Sequence, residues 1–251
     1  MAVPEIHVGT SGWTYDCFEG SLYAGDTPKR KYLEVYSSVF KTVELNASFY
    51  RSFPETTWKG WYRRTPPDFL WAVKGPRYFT HIKRLEVSRE SIGRFWHDVA
   101  HLREKFGVAL FQLPPNLKFD ESVFMAFLEK QPLNRKIAIE ARNASWHMPH
   151  VWSLFEKHGV AWVISHTAKK YPMSLRVTAN FTYLRLHGTT ELYKGLYGQE
   201  GLDYWLDTII EWGVETFVYF DNTADGSAVS DALNMKSLVQ AISTENQRQT
   251  G

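Results

Sequence analysis

Eight short runs of apolar, β-branched and aromatic residues recur along the chain, and most end in a polar residue suited to chemistry. The runs cover residues 7–11, 42–48, 69–75, 108–113, 136–142, 161–166, 181–188 and 215–222. Segments with helical spacing separate most of them, which predicts parallel strands joined by crossover helices. Eight such units in 251 residues predict a single α/β domain over residues 1–251, a (β/α)8 barrel of the TIM type. In that fold the chemistry lies at the carboxyl ends of the strands.

Charge and cysteine content narrow the class of protein. The 29 basic and 27 acidic residues give a formal net charge of +2, too small to indicate a dedicated nucleic-acid binder. The single cysteine, Cys17, excludes an intrachain disulfide and fits a reducing compartment. The first residues lack the pattern of a signal peptide, and no apolar run is long enough to span a membrane. We therefore expect a cytoplasmic protein that does not contact a membrane.

Boundary signals support the alternation and reveal one irregular interval. Capping or first-turn residues predict helix starts at Thr27 with Pro28, at Ser88 and at Asp120. Glycines just before a strand predict left-handed helix ends at Gly107, Gly159 and Gly213. The sixth and seventh strands begin at residues 161 and 181, with Pro172 between them. A full crossover helix is hard to place there, so we expect the barrel to be irregular at this point.

Polar residues recur at every second position in four of the predicted strands. Residues two apart share one face of a strand, and the polar rows are Glu44, Asn46 and Ser48; Glu140 and Arg142; Tyr183, Arg185 and His187; and Tyr219 and Asp221. The opposite faces are apolar and should meet the helices, so the polar rows should point into the barrel. One explanation is a buried ion network that only fills the barrel. Because apolar residues usually fill a barrel as stably as buried ions, we favour a functional site.

No short motif identifies a cofactor. A nucleophile elbow, a Walker loop, a dinucleotide fingerprint and a His-Glu-x-x-His pair are all missing, so the cofactor stays unassigned. Residues of metal-ligating type occur on separate strands, namely Glu44, Glu140, His166, His187 and Asp221. They form no tight spacing motif, so a divalent metal is not the favoured interpretation. The glycine turn that contains Ser11 follows the first strand and offers backbone N–H groups to an anion.

Motifs spread along nearly the whole chain form a specific set when taken together. They include Glu140-x-Arg142-x-x-Ser145-Trp146 and Arg185-Leu186-His187-Gly188, and cover residues 9–15, 42–51, 72–74, 77–85, 110–115, 140–146, 185–188 and 219–228, with Tyr193 and Tyr197. In this order they resemble the YecE-like family, domain of unknown function 72. The resemblance implies a TIM-type barrel with a polar pocket at the carboxyl face, and brings no established reaction. The chain departs from the family pattern within that pocket, at Ala141, Asn143, His166 and Asp221, which would alter the substrate or abolish activity.

The favoured hypothesis is an enzyme that acts on a polar, anionic or sugar-containing substrate, including a phosphorylated one. Its chemistry would be general acid–base catalysis of hydrolase or isomerase type. Glu44 or Glu140 would act as base and His187 as acid or proton shuttle, with Asp221 in the same set. Arginine and lysine side chains would hold phosphate or carboxylate oxygens, and aromatic rings would wall the pocket. The expected substrate-binding residues are Ser11, Trp13, Asn46, Tyr50, Lys74, Gln112, Arg142, Trp146, Arg185, Tyr219 and Asn222.

Two alternatives remain open at this stage. The first is nucleic-acid binding or phosphodiester processing by a loop in which basic and aromatic residues alternate, namely Arg77, Tyr78, His81, Lys83 and Arg84. The second is a glycosidase, because Glu44 and Glu140 lie on strands roughly across the barrel, where a carboxyl pair suits that reaction. Oligomeric state and biological partner stay unassigned.

Overall fold

Eight parallel strands form a nearly closed barrel. A computed structural model describes residues 3–250, and its strands are β1 (Ile6–Thr10), β2 (Thr42–Leu45), β3 (Leu70–Lys74), β4 (Phe106–Gln112), β5 (Ile137–Glu140), β6 (Ala161–His166), β7 (Phe181–Leu186) and β8 (Glu215–Phe220). The ladder runs in the order β1-β8-β7-β6-β5-β4-β3-β2. A single parallel bridge between Ser11 and Glu44 joins the two ends of this sheet. The predicted (β/α)8 barrel is confirmed.

Helices follow most strands and surround the barrel. They are α1 (Tyr32–Val39), α2 (Ala47–Tyr50), α3 (Glu55–Arg64), α4 (Arg89–Val99), α5 (Glu121–Leu128), α6 (Pro149–Lys157), α7 (Gly198–Trp212) and α8 (Ser227–Thr250). Residues 167–180, between β6 and β7, contain no helix. The irregularity predicted at this interval is confirmed. No helix within residues 3–250 is both long enough and apolar enough to cross a membrane.

Two of the predicted helix starts are capped by side chains. Ser88 accepts a hydrogen bond from the backbone N–H of Ser91 at the start of α4, and Asp120 accepts one from Val123 at the start of α5. Each bond satisfies a backbone donor that the first turn leaves without a partner. The Thr27 and Pro28 pair precedes a short 3-10 turn, which leads into α1 without a side-chain cap.

Of the three glycines predicted to end helices, Gly159 and Gly213 adopt positive φ angles of 61° and 64°. The prediction for Gly107 is wrong, because this glycine lies inside β4. The turn before β4 is made instead by Arg103, whose φ is 51°. Only local backbone geometry distinguishes these cases, since all three glycines stand just before a valine.

The second strand is shorter than predicted. It ends at Leu45, because Asn46 turns into the right-handed helical region and starts the short helix α2. Ser48 therefore leaves the inward-facing row, and its hydroxyl donates to the backbone oxygens of Leu45 and Lys74. This bond ties α2 to the carboxyl end of β3.

The core has two layers, as the alternation of residues along the strands predicts. Inside the barrel lies a cluster that includes Val108, Phe181, Tyr183, Phe217 and Tyr219. Between the strands and helices lies a larger cluster that contains the opposite faces, including Val43, Leu45, Ile139, Leu184 and Phe220. The interior cluster fills the part of the barrel nearer the amino ends of the strands. The charged groups of the same strands lie nearer their carboxyl ends.

Candidate functional site

The carboxyl ends of five strands bring charged side chains together inside the barrel. Glu44 lies on β2, Lys74 on β3, Glu140 on β5 and Arg185 on β7, and His187 and Asp221 follow β7 and β8. All six are buried, from 0 to 7% exposed. Arg142, two residues beyond Glu140, joins them at 8% exposure. We call these seven residues the charged cluster.

Arg185 is the centre of the charged cluster. Its Nε and Nη2 donate to the two carboxylate oxygens of Glu44, at 2.9 and 2.7 Å. Nη1 donates to Glu140 Oε2 at 2.7 Å, and Nη2 donates to Asp221 Oδ2 at 2.9 Å. One guanidinium thus pairs with carboxylates from three strands, which is the planar multidentate pairing that arginine favours.

Arg142 uses only part of its hydrogen-bonding capacity. Its Nε donates to Glu140 Oε1 at 2.6 Å, and its guanidinium lies 4.7 Å from the ring centre of Tyr171. Nη2 is buried and has no hydrogen-bond partner within residues 3–250. A buried donor of a charged group without an acceptor is costly, so this atom marks a position where an acceptor is missing.

His187 is held between an arginine and a carboxylate. Its Nε2 lies 3.1 Å from Arg185 Nη1, and its Nδ1 lies 2.8 Å from Asp221 Oδ2. Arginine is a donor only, so Nε2 must accept and the ring proton belongs on Nδ1, facing the carboxylate. Burial and then the charge of Arg185 lower the pKa of His187, against the pull of Asp221. The imidazole is therefore neutral; its Nε2 accepts from Arg185, and its Nδ1 lies close to Asp221 without an aligned hydrogen bond within the described residues.

Ser11 connects Glu44 to the neighbouring loop. Its hydroxyl donates to Glu44 Oε1 and accepts a hydrogen bond of 2.6 Å from Asn46 Nδ2. Tyr183 donates to the other oxygen of Glu44 at 2.7 Å. Both Ser11 and Asn46 thus lie beside the charged cluster, where the sequence analysis expected them. Gln112, a further expected residue, ends β4 and lies opposite Glu140 in the ladder.

The three carboxylates are held ionised. Burial alone would raise the pKa of Glu140, but Arg142 and Arg185 outweigh it and keep the pKa well below its usual range. The same opposition, dominated by Arg185 after burial, lowers the pKa of Asp221 to about 2 and also lowers that of Glu44. A glycosidase needs one carboxylic acid with a raised pKa. This site offers no such acid in Glu44 or Glu140, and the glycosidase interpretation loses its support.

The cation that the interior carboxylates share is a guanidinium. The residues of metal-ligating type, for which a metal was not the favoured interpretation, were Glu44, Glu140, His166, His187 and Asp221, and in the structure the three carboxylates among them bind Arg185. Within residues 3–250, the side chains close enough to share a metal ion are Glu5, His7 and Glu215. They lie at the amino ends of β1 and β8, where Glu215 also pairs with Lys136.

Two of the expected pocket walls lie in the core instead. Trp13 is 9% exposed and packs edge-on against Trp61 and Trp71. Trp146 is 1% exposed, and its Nε1 donates to the backbone oxygen of Leu117. Their large apolar rings are stabilised more by packing under the helices than by facing a polar mouth. The contacts of both rings are with the core, and a role in substrate binding stays a prediction.

Two further expected substrate-binding residues have structural partners. Tyr219 is fully buried within the barrel, and its hydroxyl lies 2.6 Å from Thr42 Oγ1. Asn222 is also fully buried and donates to Asp231 Oδ2 and to the oxygen of Gly195. These bonds support the barrel and the loop after β7.

The aromatic and basic residues of α2 and of the loop after β3 face two different places. Tyr50, Arg77 and Tyr78 line an open groove of about 1050 Å³ between α2, α4 and the π-helical turn Tyr78–Ile82. His81 faces the barrel mouth, where burial and then Arg77, Lys74 and Arg142 lower its pKa to about 4. We call the first place the side groove.

The remaining two residues of that loop line neither place. Lys83 Nζ lies 5.9 Å from the ring centre of Tyr78. Arg84 donates to Asn116 from Nη1 and Nη2. The loop expected to bind nucleic acid as a unit is therefore divided between the side groove, the mouth and the surface.

The positions that depart from the family pattern have local partners. Asn143 donates to the oxygen of Pro115 and accepts from the N–H of Ser145, which shapes the turn after β5. His166 Nδ1 lies 2.7 Å from the hydroxyl of Tyr197. The backbone oxygen of His166 accepts a hydrogen bond of 2.9 Å from the N–H of His187, and within residues 3–250 neither side chain bonds to the charged cluster.

Tyr171 and Tyr193 were not predicted as site residues and lie at the mouth. Tyr171 stacks against Arg142 from the loop between β6 and β7. Tyr193 adopts a φ of 73°, and its N–H donates to the oxygen of His187 at 2.5 Å. Tyr193 already belongs to the family-like motifs, whereas Tyr171 lies in a loop with no periodic pattern.

Comparison with known families gives a match over nearly the whole chain. The model of the family described as "Protein of unknown function DUF72" matches residues 7–250. The chain is 28% identical to the UPF0759 protein YunF of Bacillus subtilis, and the match covers 93% of this chain and 94% of that protein.

Solved structures give the same match at the level of the fold. A DUF72 family protein from Thermotoga maritima superposes with a TM-score of 0.85 at 28% identity, and the match covers 94% of this chain and 99% of that one. A DUF72 family protein from Enterococcus faecalis superposes with a TM-score of 0.82 at 19% identity, covering 94% and 95% of the two chains. The second likeness concerns the fold alone.

Proposed function

The chain belongs to the DUF72 family, and we propose that the mouth of its barrel binds an anionic small molecule and acts on it as an enzyme. The carboxylates of the charged cluster already have a cation in Arg185. The cationic groups nearer the mouth, Arg142 and Lys74, have spare donors. Arginine and lysine donors recognise carboxylate and phosphate oxygens.

One observation carries the proposal: Arg142 Nη2 is buried and has no acceptor within the described residues. The bond from Nε to Glu140 fixes the guanidinium plane, and Tyr171 packs against it. The unpaired edge is thus held in place before a ligand arrives. Such preorganisation lowers the entropic cost of binding an oxyanion.

The test is a thermal-shift titration with inorganic phosphate and with small carboxylates, on the wild type and on Arg142→Gln. A ligand that binds only the folded state at 100 times its Kd adds about 2.7 kcal/mol to the free energy of unfolding. We expect a shift in the wild type that the substitution removes. Arg142→Lys keeps the charge without the fork and should weaken the shift.

The matched control is Arg63→Gln, which changes an exposed arginine of α3 that lies outside the lining of the side groove. It should leave the anion-dependent shift unchanged. An equal shift in wild type and Arg142→Gln would place the anion elsewhere and refute the proposal.

The side groove favours nucleic-acid binding as a second candidate. Tyr50 and Tyr78 expose 77% and 41% of their surface there, beside Arg51 and Arg77. Exposed rings next to arginines suit stacked bases and phosphates. The test is fluorescence anisotropy with a labelled oligothymidylate at several salt concentrations.

Binding that weakens steeply with salt, and is lost in Arg51→Gln/Arg77→Gln, would support this second function. The control is Arg63→Gln on the exposed surface of α3. Absent binding, or binding that does not depend on salt, would refute nucleic-acid binding by the side groove.

A further inference from the structure

Lys74 carries an amine without a partner at the mouth of the barrel. It is the last residue of β3 and is 7% exposed. Within residues 3–250 its Nζ has neither a hydrogen bond nor an ion pair, and its aromatic contact is the ring of Phe49, 4.7 Å from Nζ to the centre. A protonated amine has three donors, and none of those on Lys74 is bonded to the described part of the protein, so the fold stabilises its charge less than that of a hydrogen-bonded lysine.

The chain contains its own contrast in Lys105. This lysine is buried to 5% exposure, and its Nζ donates to the backbone oxygens of Tyr62 and Thr65, both at 2.6 Å. Lys105 shows how a structural lysine is satisfied in this fold. Lys74 is as deeply buried and lacks such acceptors.

The backbone around Lys74 is fixed on both sides. Its carbonyl oxygen accepts a hydrogen bond from Ser48 at 2.7 Å, and the next N–H, that of Gly75, donates to Leu110. A side chain at Gly75 would come within 2.3 Å of the ring of Phe111. The amine is therefore presented from a rigid strand end, as an active-site group requires.

The surroundings favour the neutral amine. Burial and then Arg185 lower the pKa of Lys74 to about 8, against the opposite effects of Glu44, Glu140 and Asp221. Near neutral pH the neutral fraction is then about two hundred times that of an exposed lysine. Desolvation and a nearby cation are the two means by which proteins activate a lysine as nucleophile.

The other titratable groups of the charged cluster are already engaged. His187 has Arg185 and Asp221 at its two nitrogens, and the carboxylates of Glu44 and Glu140 bind Arg185. Among the amine and carboxylate groups of the charged cluster, Lys74 is the one that makes no hydrogen bond to the described residues.

We infer that Lys74 is a nucleophile that forms an imine with an aldehyde or ketone carrying a carboxylate or phosphate group. This inference rests on the proposed function, because Arg142 would bind the anionic group. Lys74 is the last residue of β3 and Arg142 follows the end of β5, so both cations lie at the carboxyl end of the barrel.

The step is balanced without an oxidant or reductant. The neutral amine attacks the carbonyl carbon, a C–N bond forms as the carbonyl π bond breaks, and a proton lost by the nitrogen is replaced by one gained at the oxygen to give a carbinolamine. Loss of one water, with one proton from solvent, leaves the protonated imine. Hydrolysis reverses the step and restores the free lysine.

The test uses glyoxylate, a small aldehyde with a carboxylate, followed by borohydride. Borohydride adds hydride to the imine carbon and traps it as a carboxymethyl amine, which peptide mass mapping assigns to a lysine. We expect modification of Lys74 well ahead of Lys105 and the exposed Lys83, with a rate that rises with pH to a midpoint near 8. Lys74→Arg should lose this product and keep its circular dichroism spectrum.

Propionaldehyde, a neutral aldehyde, separates the two proposals. Arg142→Gln should reduce modification by glyoxylate at least tenfold and leave modification by propionaldehyde unchanged. If Lys74 reacts with both aldehydes irrespective of Arg142, the nucleophile stands and the anion site fails. If anions stabilise the wild type but neither aldehyde modifies Lys74 faster than Lys83, the imine inference is overturned and the anion site stands.

Discussion

Replacing Arg185 by methionine should severely destabilise the protein, because it leaves three buried carboxylates without their common cation. The guanidinium makes four hydrogen bonds of 2.7 to 2.9 Å to Glu44, Glu140 and Asp221. Breaking a buried ion pair by removing one partner costs about 3–5 kcal/mol. Four charge-assisted bonds place this case near the upper end. For a chain of this length a cost of about 5 kcal/mol should lower the melting temperature by about 10–20 °C.

The assay is urea unfolding of wild type and Arg185→Met at pH 7.5 and pH 5. Without Arg185, burial and mutual repulsion raise the carboxyl pKa values above those of the unfolded chain. A raised carboxyl pKa destabilises the fold at high pH, and protonation relieves the effect as pH falls. The cost should therefore be smaller at pH 5 than at pH 7.5.

A second substitution provides an internal check. Adding Glu140→Gln to Arg185→Met removes one of the unpaired charges and should recover part of the lost stability. Arg94→Met, at an exposed pair with Glu90, is the control and should cost less than about 0.5 kcal/mol. A cost below about 1 kcal/mol for Arg185→Met, equal at both pH values, would refute the electrostatic account of the cluster.

Three further predictions concern other parts of the fold. Lys105→Met should cost about 2–3 kcal/mol in urea unfolding, because two buried carbonyl oxygens lose a charged donor. Gly188→Ala should cost about 3 kcal/mol, since φ is 117° and a Cβ would lie 2.1 Å from the oxygen of Lys194; calorimetry would measure it. The carboxyl pKa values in the charged cluster are lowered, to about 2 for Asp221, so the ionised carboxylates stabilise the fold and protonation removes this contribution. The contribution to the free energy of unfolding should be fully present above about pH 4.5 and be lost towards pH 2. Unfolding measured along an acid titration checks this.

The barrel could be predicted because its strands have two distinct faces. In β7 the alternation of Tyr183 and Arg185 with Leu184 and Leu186 separates the interior from the layer under the helices. That pattern depends on residue type at every second position and needs no knowledge of distant contacts. The bounds of β2 could not be predicted in the same way, since Asn46 continues the alternation in sequence while its backbone turns into α2.

The site was predicted in part, for a related reason. Strand ends locate Glu44, Glu140 and Arg185 at one end of the barrel, but their pairing depends on the depth of each side chain inside it. An aromatic residue beside a motif, such as Trp13, suits a pocket wall and a core equally well in sequence. Only the path of its loop places it against Trp61.

The most direct measurement of the central claim is a crystal structure of the wild type soaked in tungstate, an oxyanion located by its anomalous signal. The account predicts a tungsten peak at the barrel mouth, with an oxygen about 3 Å from Arg142 Nη2. The peak should be missing from crystals of Arg142→Gln. Tungstate bound only in the side groove beside Arg51 and Arg77, with solvent next to Arg142, would contradict it.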